Sequence, residues 1–103
     1  MRICLDTNAY SAFKRGDADV IGLVETADEV AIPSIVLGEL FAGFRMGSRA
    51  RRNVAELDEF LHRPGVSVAM VTRDAAERYG MLVSQLKQQG TPLPTNDIWI
   101  AAI

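Results

Sequence analysis

The 103-residue sequence contains one cysteine and one histidine, so it lacks the residues from which several common sites are built. A single cysteine excludes an internal disulfide and a cysteine-rich metal framework. Cys4 stands in an apolar run, which favours a buried thiol in the core. His62 comes at a probable helix end, where a structural role is favoured. Without a Ser–His or Cys–His pair, hydrolases that use an activated side-chain nucleophile are disfavoured.

Long apolar runs and an excess of positive charge are also absent. No apolar run approaches the ~18 residues of a membrane-spanning helix, and Asp6 comes too early for a secretory signal. We therefore expect a cytoplasmic protein with no membrane segment. The net charge of −2 argues against nucleic-acid binding over the whole surface, but it leaves room for a local basic patch. A glycine-rich phosphate-binding loop is missing as well.

The remaining pattern predicts a single α/β domain over residues 1–103. A hydrophobic fraction of 49% is ample for one core. The apolar runs predict strands at 2–5, 29–33 and 66–71. Helical periodicity predicts helices at about 8–14, 17–27, 34–47, 48–63, 73–89 and 97–103. Strands separated by helices favour right-handed crossovers and a mostly parallel sheet.

Several residues are expected to begin or end these helices. Ser34 and Thr72 are expected to cap the helices that follow them, and Thr95 or Asn96 the last helix. The remaining signals are helix-ending residues, at Gly47, Gly90 and Pro92.

Three acidic residues follow strands or open helices at corresponding places. Asp6 ends the first strand, Glu39 lies one turn into the helix after the second strand, and Asp97 is in the first turn of the last helix. In open parallel folds, ligands bind outside the carboxyl ends of the strands. Glu39 has mostly apolar neighbours, so its carboxylate needs an arginine, a lysine or a divalent cation. Mg²⁺ and Mn²⁺ prefer oxygen ligands of this kind.

Each of these residues also has an ordinary structural interpretation. Asp97 is a favourable charge at a helix N-terminus, and Asp6 can form an Asx-turn with its own backbone. Thr7 and Asn8 can hold Asp6 in one orientation, or they can simply shape the turn, and Asn96 is equally ambiguous beside Asp97. Local sequence leaves these alternatives open.

A cluster of arginines suggests a weak RNA-binding patch, formed by Arg45, Arg49, Arg51 and Arg52. Lys14 and Arg15 can join it. Such a cluster can contact phosphates, although a solvated loop and helix start is an equal alternative. The aromatic side chains at helical core spacing are expected in the core or in a dimer interface: Phe41, Phe44, Phe60 and Tyr79.

The chain resembles the PIN-domain ribonucleases, and among them the VapC toxins of bacterial and archaeal toxin–antitoxin pairs. The resemblance is carried by "LDTN" after an apolar strand, "SIVLGEL" followed by "AGF", and "NDIWIAA", in order along the chain. It implies a three-layer α/β/α fold in which Asp6, Glu39 and Asp97 bind Mg²⁺ or Mn²⁺. The metal would activate water for attack on an RNA phosphodiester, and the Thr7 hydroxyl would support the site. It also implies a homodimer that a VapB-type antitoxin silences.

The sequence departs from the pattern of this family at its end. In the family, the last helix leads to another strand, a fourth acidic residue, a helix turn and a final strand. Here the sequence stops at Ile103, so a fold lacking the last strand-helix-strand segment and the fourth carboxylate is expected. Asp74 in "MVTRD" mimics the missing motif, but an ordinary helix start is the better interpretation of it.

Two functions follow from these observations. The first is a metal-dependent endoribonuclease toxin. The alternative is a truncated, catalytically impaired PIN domain that acts as a dimerisation or antitoxin-binding module. A phosphoacceptor domain is a weaker third possibility, because no second acid accompanies Asp6.

Overall fold

Three short strands form a parallel sheet with the second strand in the centre. A computed structural model describes residues 1–91 and 93–103, so Pro92, expected near a helix end, lies outside the described residues. The strands are β1 (Arg2–Cys4), β2 (Glu29–Pro33) and β3 (Val66–Ala69), in the order β1-β2-β3. The helices are α1 (Thr7–Arg15), α2 (Ala18–Thr26), α3 (Ser34–Met46), α4 (Ala50–Leu61), α5 (Arg73–Gln89) and α6 (Thr95–Ala102).

Two pairs of helices connect the strands and cover one face of the sheet. α1 and α2 lead from β1 to β2, and α3 and α4 lead from β2 to β3. Ile3, Val30 and Val66 lie side by side in the register of the sheet. Side chains of this face meet those of α1 to α4 in one buried cluster, Leu5, Tyr10, Val24, Val30, Ile32, Val36, Leu40, Leu57 and Phe60. The expected α/β class with its parallel sheet is therefore confirmed.

The prediction of a buried thiol at Cys4 is wrong. Cys4 is exposed, because successive side chains of a strand point to opposite faces of the sheet. Ile3 faces the core, so Cys4 lies on the other face, beside Ala31 and in line with the exposed Ser67. Within the described residues β1 pairs only with β2, so it also has an open edge.

In two helices the N-cap position lies before the residues expected to occupy it. Ser34 is the first residue of α3 and Pro33 takes the N-cap position; Pro94 does the same for α6, so Thr95 and Asn96 lie inside that helix. Neither N-terminus has a side-chain cap. The ring of proline holds φ near −60°, and with ψ near 140° it directs the chain from extended backbone into a helix.

The long helix α5 begins as predicted. The Ala75 N–H donates to Thr72 Oγ1 at 3.1 Å, and Asp74 lies in the first turn, where its charge is favourable. At the other end Gly90 adopts φ of 70°, a left-handed conformation that closes the helix.

α5 holds α6 at the middle and at the C-terminal end of the shorter helix. The rings of Tyr79 and Trp99 stack with 3.8 Å between their centroids and 11° between their planes. Arg78 Nε donates to the carbonyl oxygen of Ala102 at 2.6 Å, so a positive charge lies at the negative C-terminus of α6. These contacts, together with the packing of α6 on α3, fix the first turn of α6 beside α3.

Of the aromatic residues expected in the core or in a dimer interface, some are buried in the core and others are exposed. Phe60 is buried in the core and meets Tyr10 edge to face. Phe41, in the middle of α3, is 38% exposed and contacts the half-buried Phe44. No helix within residues 1–91 and 93–103 combines the length and apolarity that crossing a membrane requires.

Candidate active site

Asp6 joins the end of β1 to the start of α1. Its backbone is extended, with φ of −86° and ψ of 179°, and its Oδ1 accepts the N–H of Ala9 at 2.7 Å. The side chain of Asp6 thus bonds local backbone, as its structural interpretation required, but it does so as the N-cap of α1 and not through an Asx-turn. The cap uses one carboxylate oxygen, and the side chain stands at the surface. Capping and ligand binding by Asp6 are thus compatible.

Glu39 is half-buried on α3, and neutral donors approach both of its oxygens. Thr7 Oγ1 donates to Oε1 at 2.6 Å, and Asn96 Nδ2 lies 3.5 Å from Oε2, a long contact. The short bond from Thr7 is the stronger of the two, as expected for a hydroxyl bonded to an ionised acceptor. The sequence left open whether Thr7 holds Asp6 or shapes the turn; in the structure its hydroxyl bonds Glu39 instead, because α3 packs against α1.

The three acidic residues line one cavity of about 200 Å³. Its lining is Asp6, Thr7, Asn8, Glu39, Asp97 and Ile100. Asp6 comes from the N-terminus of α1, Glu39 from the second turn of α3 and Asp97 from the first turn of α6. The structure therefore brings together residues that are 91 positions apart in the sequence. The arginines of the weak RNA-binding patch are not part of this lining.

Among the described residues, no basic side chain forms an ion pair with the carboxylates of this cavity. In the part of the chain that the structure describes, five ion pairs form, and none includes Asp6, Glu39 or Asp97. Three carboxylates that share a cavity without a positive neighbour repel one another. A cation is the simplest compensation for this charge.

The donor set fits a hard divalent cation by its chemistry, but it is not yet gathered around one point. Carboxylate and amide oxygens are the ligands that Mg²⁺ and Mn²⁺ prefer. Across residues 1–91 and 93–103, however, no three His, Cys, Asp or Glu side chains stand close enough together to hold a metal ion. Asp97 is exposed, and Asp6 is exposed but held through one oxygen by the N–H of Ala9. The three carboxylates therefore line one cavity without surrounding a single point.

A second cavity, of about 170 Å³, adjoins the basic residues. Its lining is Tyr10, Ser11, Lys14, Arg15, Leu40, Phe44, Asn53 and Glu56. Arg52 Nε lies 3.1 Å from Glu56 Oε1, and Lys14 Nζ lies 3.4 Å from Glu56 Oε2. The bond from Arg52, helped by the charge of Lys14, lowers the pKa of Glu56. Burial, together with the charge of Glu56, raises the pKa of Tyr10 to about 12.

Glu56 was missed as a participant in this region. The signal was present in the sequence, since four residues separate it from Arg52, a spacing that brings helical side chains together. Its contact with Lys14 on another helix has no such signal. Arg45, Arg49 and Arg51 are all exposed.

Comparisons with known proteins agree on one family. The PIN domain family matches residues 3–103. Ribonuclease VapC2 of Rickettsia felis is 32% identical over 102 residues, which are 95% of this chain and 75% of that protein. Ribonuclease VapC2 of Haemophilus influenzae is 28% identical over 104 residues, covering 99% of this chain and 77% of that protein.

A solved structure shows the same fold. The crystal structure of VapBC2 from Rickettsia felis, bound to a DNA fragment from the promoter, includes a chain that is 28% identical to this one. It superposes with a TM-score of 0.84 over 99% of this chain and 78% of that one. The present chain therefore spans about three quarters of the length of these relatives.

Proposed function

Because this chain belongs to the PIN domain family, we propose that it is a VapC-type endoribonuclease that hydrolyses RNA phosphodiesters with the help of Mg²⁺ or Mn²⁺. One observation carries the proposal: carboxylates of three distant segments line one cavity, and no basic side chain in the described ranges neutralises them. The relatives named ribonuclease VapC2 support the reaction class.

The residues of the chain divide the work of the proposed site. A bound Mg²⁺ or Mn²⁺ would supply a water of lowered pKa and positive charge for in-line displacement at phosphorus. Asp6, Glu39 and Asp97 would hold the cation. Thr7 fixes Glu39 through the 2.6 Å hydrogen bond, and Asn96 approaches the other oxygen. Such supports keep a ligand in one orientation before the cation arrives.

The cap on Asp6 serves the same purpose. The N–H of Ala9 holds one oxygen of Asp6 at 2.7 Å, which limits the rotations open to that carboxylate. Asp97 is positioned through its helix, because α5 anchors α6 by the stacked rings of Tyr79 and Trp99. Asn8, which also lines the cavity, would orient the substrate or a bound water by its amide.

The proposed partners follow from the family. The similar chain from Rickettsia felis was solved as VapBC2, so we propose a VapB-type antitoxin as the partner that silences the activity. We also propose a homodimer as the assembly and the cytoplasm as the location. A non-catalytic dimerisation or antitoxin-binding module is the less favoured function, since it leaves the uncompensated carboxylates without a purpose.

Cleavage of labelled RNA in the presence of Mg²⁺ or Mn²⁺ tests the proposal. The Asp6→Asn variant should lose nearly all activity, because asparagine still caps α1 but removes a negative oxygen from the cation. Asp74→Asn is a matched control: it also changes an acid at a helix start, but on α5 and outside the cavity. Equal cleavage by wild type and Asp6→Asn would reject the nuclease. Partner binding without any metal-dependent cleavage would favour the module.

A further inference from the structure

About half of the basic residues of this acidic chain lie on three helix ends that are close in the fold. Six of the eleven lysines and arginines fall at positions 14–15 and 45–52. Residues 40–55 contain four arginines and no acidic residue. These residues lie at the end of α1, at the end of α3 and at the start of α4. Helix α3 packs against both α1 and α4. A positive region therefore exists despite the net charge of −2.

This region continues directly from the carboxylate cavity. Thr7 and Asn8 of α1 line the carboxylate cavity, and Ser11, Lys14 and Arg15 of the same helix line the second cavity. Thr7, Ser11 and Lys14 are spaced for one face of a helix. Two helical turns separate Thr7 from Lys14, about 10 Å along the axis.

α3 borders both cavities in the same way. Glu39 lines the carboxylate cavity, and Leu40 and Phe44 line the second cavity. The two cavities therefore lie along one seam between α1 and α3. We call the second part of this seam, lined by Ser11, Lys14, Arg15, Phe44 and Asn53, the basic groove.

The basic groove combines the groups that bind single-stranded nucleic acid. Lys14 and Arg15 supply positive charge, Ser11 and Asn53 supply neutral donors, and Phe44 supplies an aromatic side chain at the groove edge. Of the described residues that line the second cavity, Glu56 alone is acidic, and Lys14 and Arg52 flank it. Two cations for one anion leave the cluster positive. Positive side chains that follow the backbone, with an aromatic on which a base stacks, typify single-strand sites.

We propose that the basic groove binds the backbone of single-stranded RNA next to the linkage held in the carboxylate cavity. The inference rests on the proposed ribonuclease function and adds the path of the substrate along α1. The excess of cations and the continuity with the cavity favour RNA over an acidic peptide. Glu56 would hold Lys14 and Arg52 in place in the free protein, and their cationic groups would turn to phosphates on binding.

Fluorescence anisotropy of a labelled single-stranded RNA of about 10 nucleotides, within the usual range of site sizes, tests the path. Binding is measured without divalent metal, so that cleavage does not interfere, and over a series of NaCl concentrations. Lys14→Gln with Arg15→Gln is compared with Arg73→Gln plus Lys87→Gln. The second pair removes the same charge from α5, no described residue of which lines the groove. Tryptophan emission and thermal unfolding verify that each variant is folded.

The groove variant should bind at least tenfold more weakly at low salt. The plot of log affinity against log salt has a negative slope, to which each phosphate contact contributes about 0.7 for single strands. Losing two contacts should therefore make the slope shallower by about 1.4. The α5 control should keep the wild-type slope. Phe44→Leu should weaken binding severalfold without changing the slope, since stacking releases no counterions, and Glu56→Gln should strengthen binding.

Three outcomes would overturn the path. Equal loss of affinity in the groove variant and in the α5 control would refute it, because only net charge would then matter. An unchanged slope in the groove variant would also refute it. So would a groove variant that keeps its affinity for RNA but loses affinity for a labelled acidic peptide in the same anisotropy assay. These results are separable from the proposed function: RNA cleavage that depends on Asp6 together with an unchanged slope refutes only the path.

Discussion

Replacing Thr7 with valine tests the hydrogen bond on which the geometry of Glu39 depends. Thr7 Oγ1 lies 2.6 Å from Glu39 Oε1, and both side chains are half-buried. Valine keeps the shape and removes the donor. A hydrogen bond to a charged group is worth about 1.5–3 kcal/mol, and water can replace part of it at a half-buried site. We therefore expect Thr7→Val to lower the free energy of unfolding by about 1–2 kcal/mol.

Urea denaturation without metal measures this change. With a urea dependence of about 1–3 kcal/mol per molar for a small domain, the midpoint should fall by roughly 1 M. Thr7→Ser is the control, because it retains the hydroxyl and loses only a methyl group. Repeating Thr7→Val in a Glu39→Leu background should cost less, since the acceptor is already gone. Equal stability of Thr7→Val and Thr7→Ser would refute the reasoning.

Three further predictions concern other parts of the fold. The stability of the protein should fall by about 2 kcal/mol as pH rises from 10 to 12, because the folded pKa of Tyr10, about 12, exceeds the usual 10, so the hydroxyl ionises in the unfolded chain while it is still neutral in the folded one. By circular dichroism, Tyr10→Phe should unfold less at alkaline pH than Tyr79→Phe, and equal curves would contradict this. Tyr79→Leu should change Trp99 emission and raise the concentration of Mn²⁺ needed for binding, whereas Tyr79→Phe keeps the stack; identical Mn²⁺ titrations would exclude positioning through the stack. Gly65→Ala should cost about 1–2 kcal/mol in thermal unfolding, because φ is 81° and a Cβ would lie 3.0 Å from the Asp28 carbonyl oxygen; an unchanged midpoint would show that the turn relaxes freely.

The sequence predicted the order of strands and helices because apolar periodicity is a local property. The runs around β2 and the apolar spacing of α5 are visible without any partner, and the structure contains both elements close to the predicted bounds. The caps were harder. Ser34 and Asn96 have the right chemistry for an N-cap, but Pro33 and Pro94 precede them, and their fixed φ already starts each helix.

The candidate site was partly readable for the same reason. Asp6, Glu39 and Asp97 stand at the starts of helices, and parallel strands place such positions at one edge of a sheet. The sequence does not show how far apart their carboxylates lie. That separation depends on how α6 rests on α5 and α3, and on rotamers that are chosen by neighbouring donors.

By itself, the sequence determined the α/β pattern, the family resemblance and the three acidic residues that line one cavity. Only the tertiary structure decided that Thr7 supports Glu39 rather than Asp6, that Lys14 shares Glu56 with Arg52, and that Cys4 faces outward. The physical reason is range. Backbone preferences act between residues a few positions apart, whereas hydrogen bonds, ion pairs and exposure depend on which distant segments meet within a few ångströms.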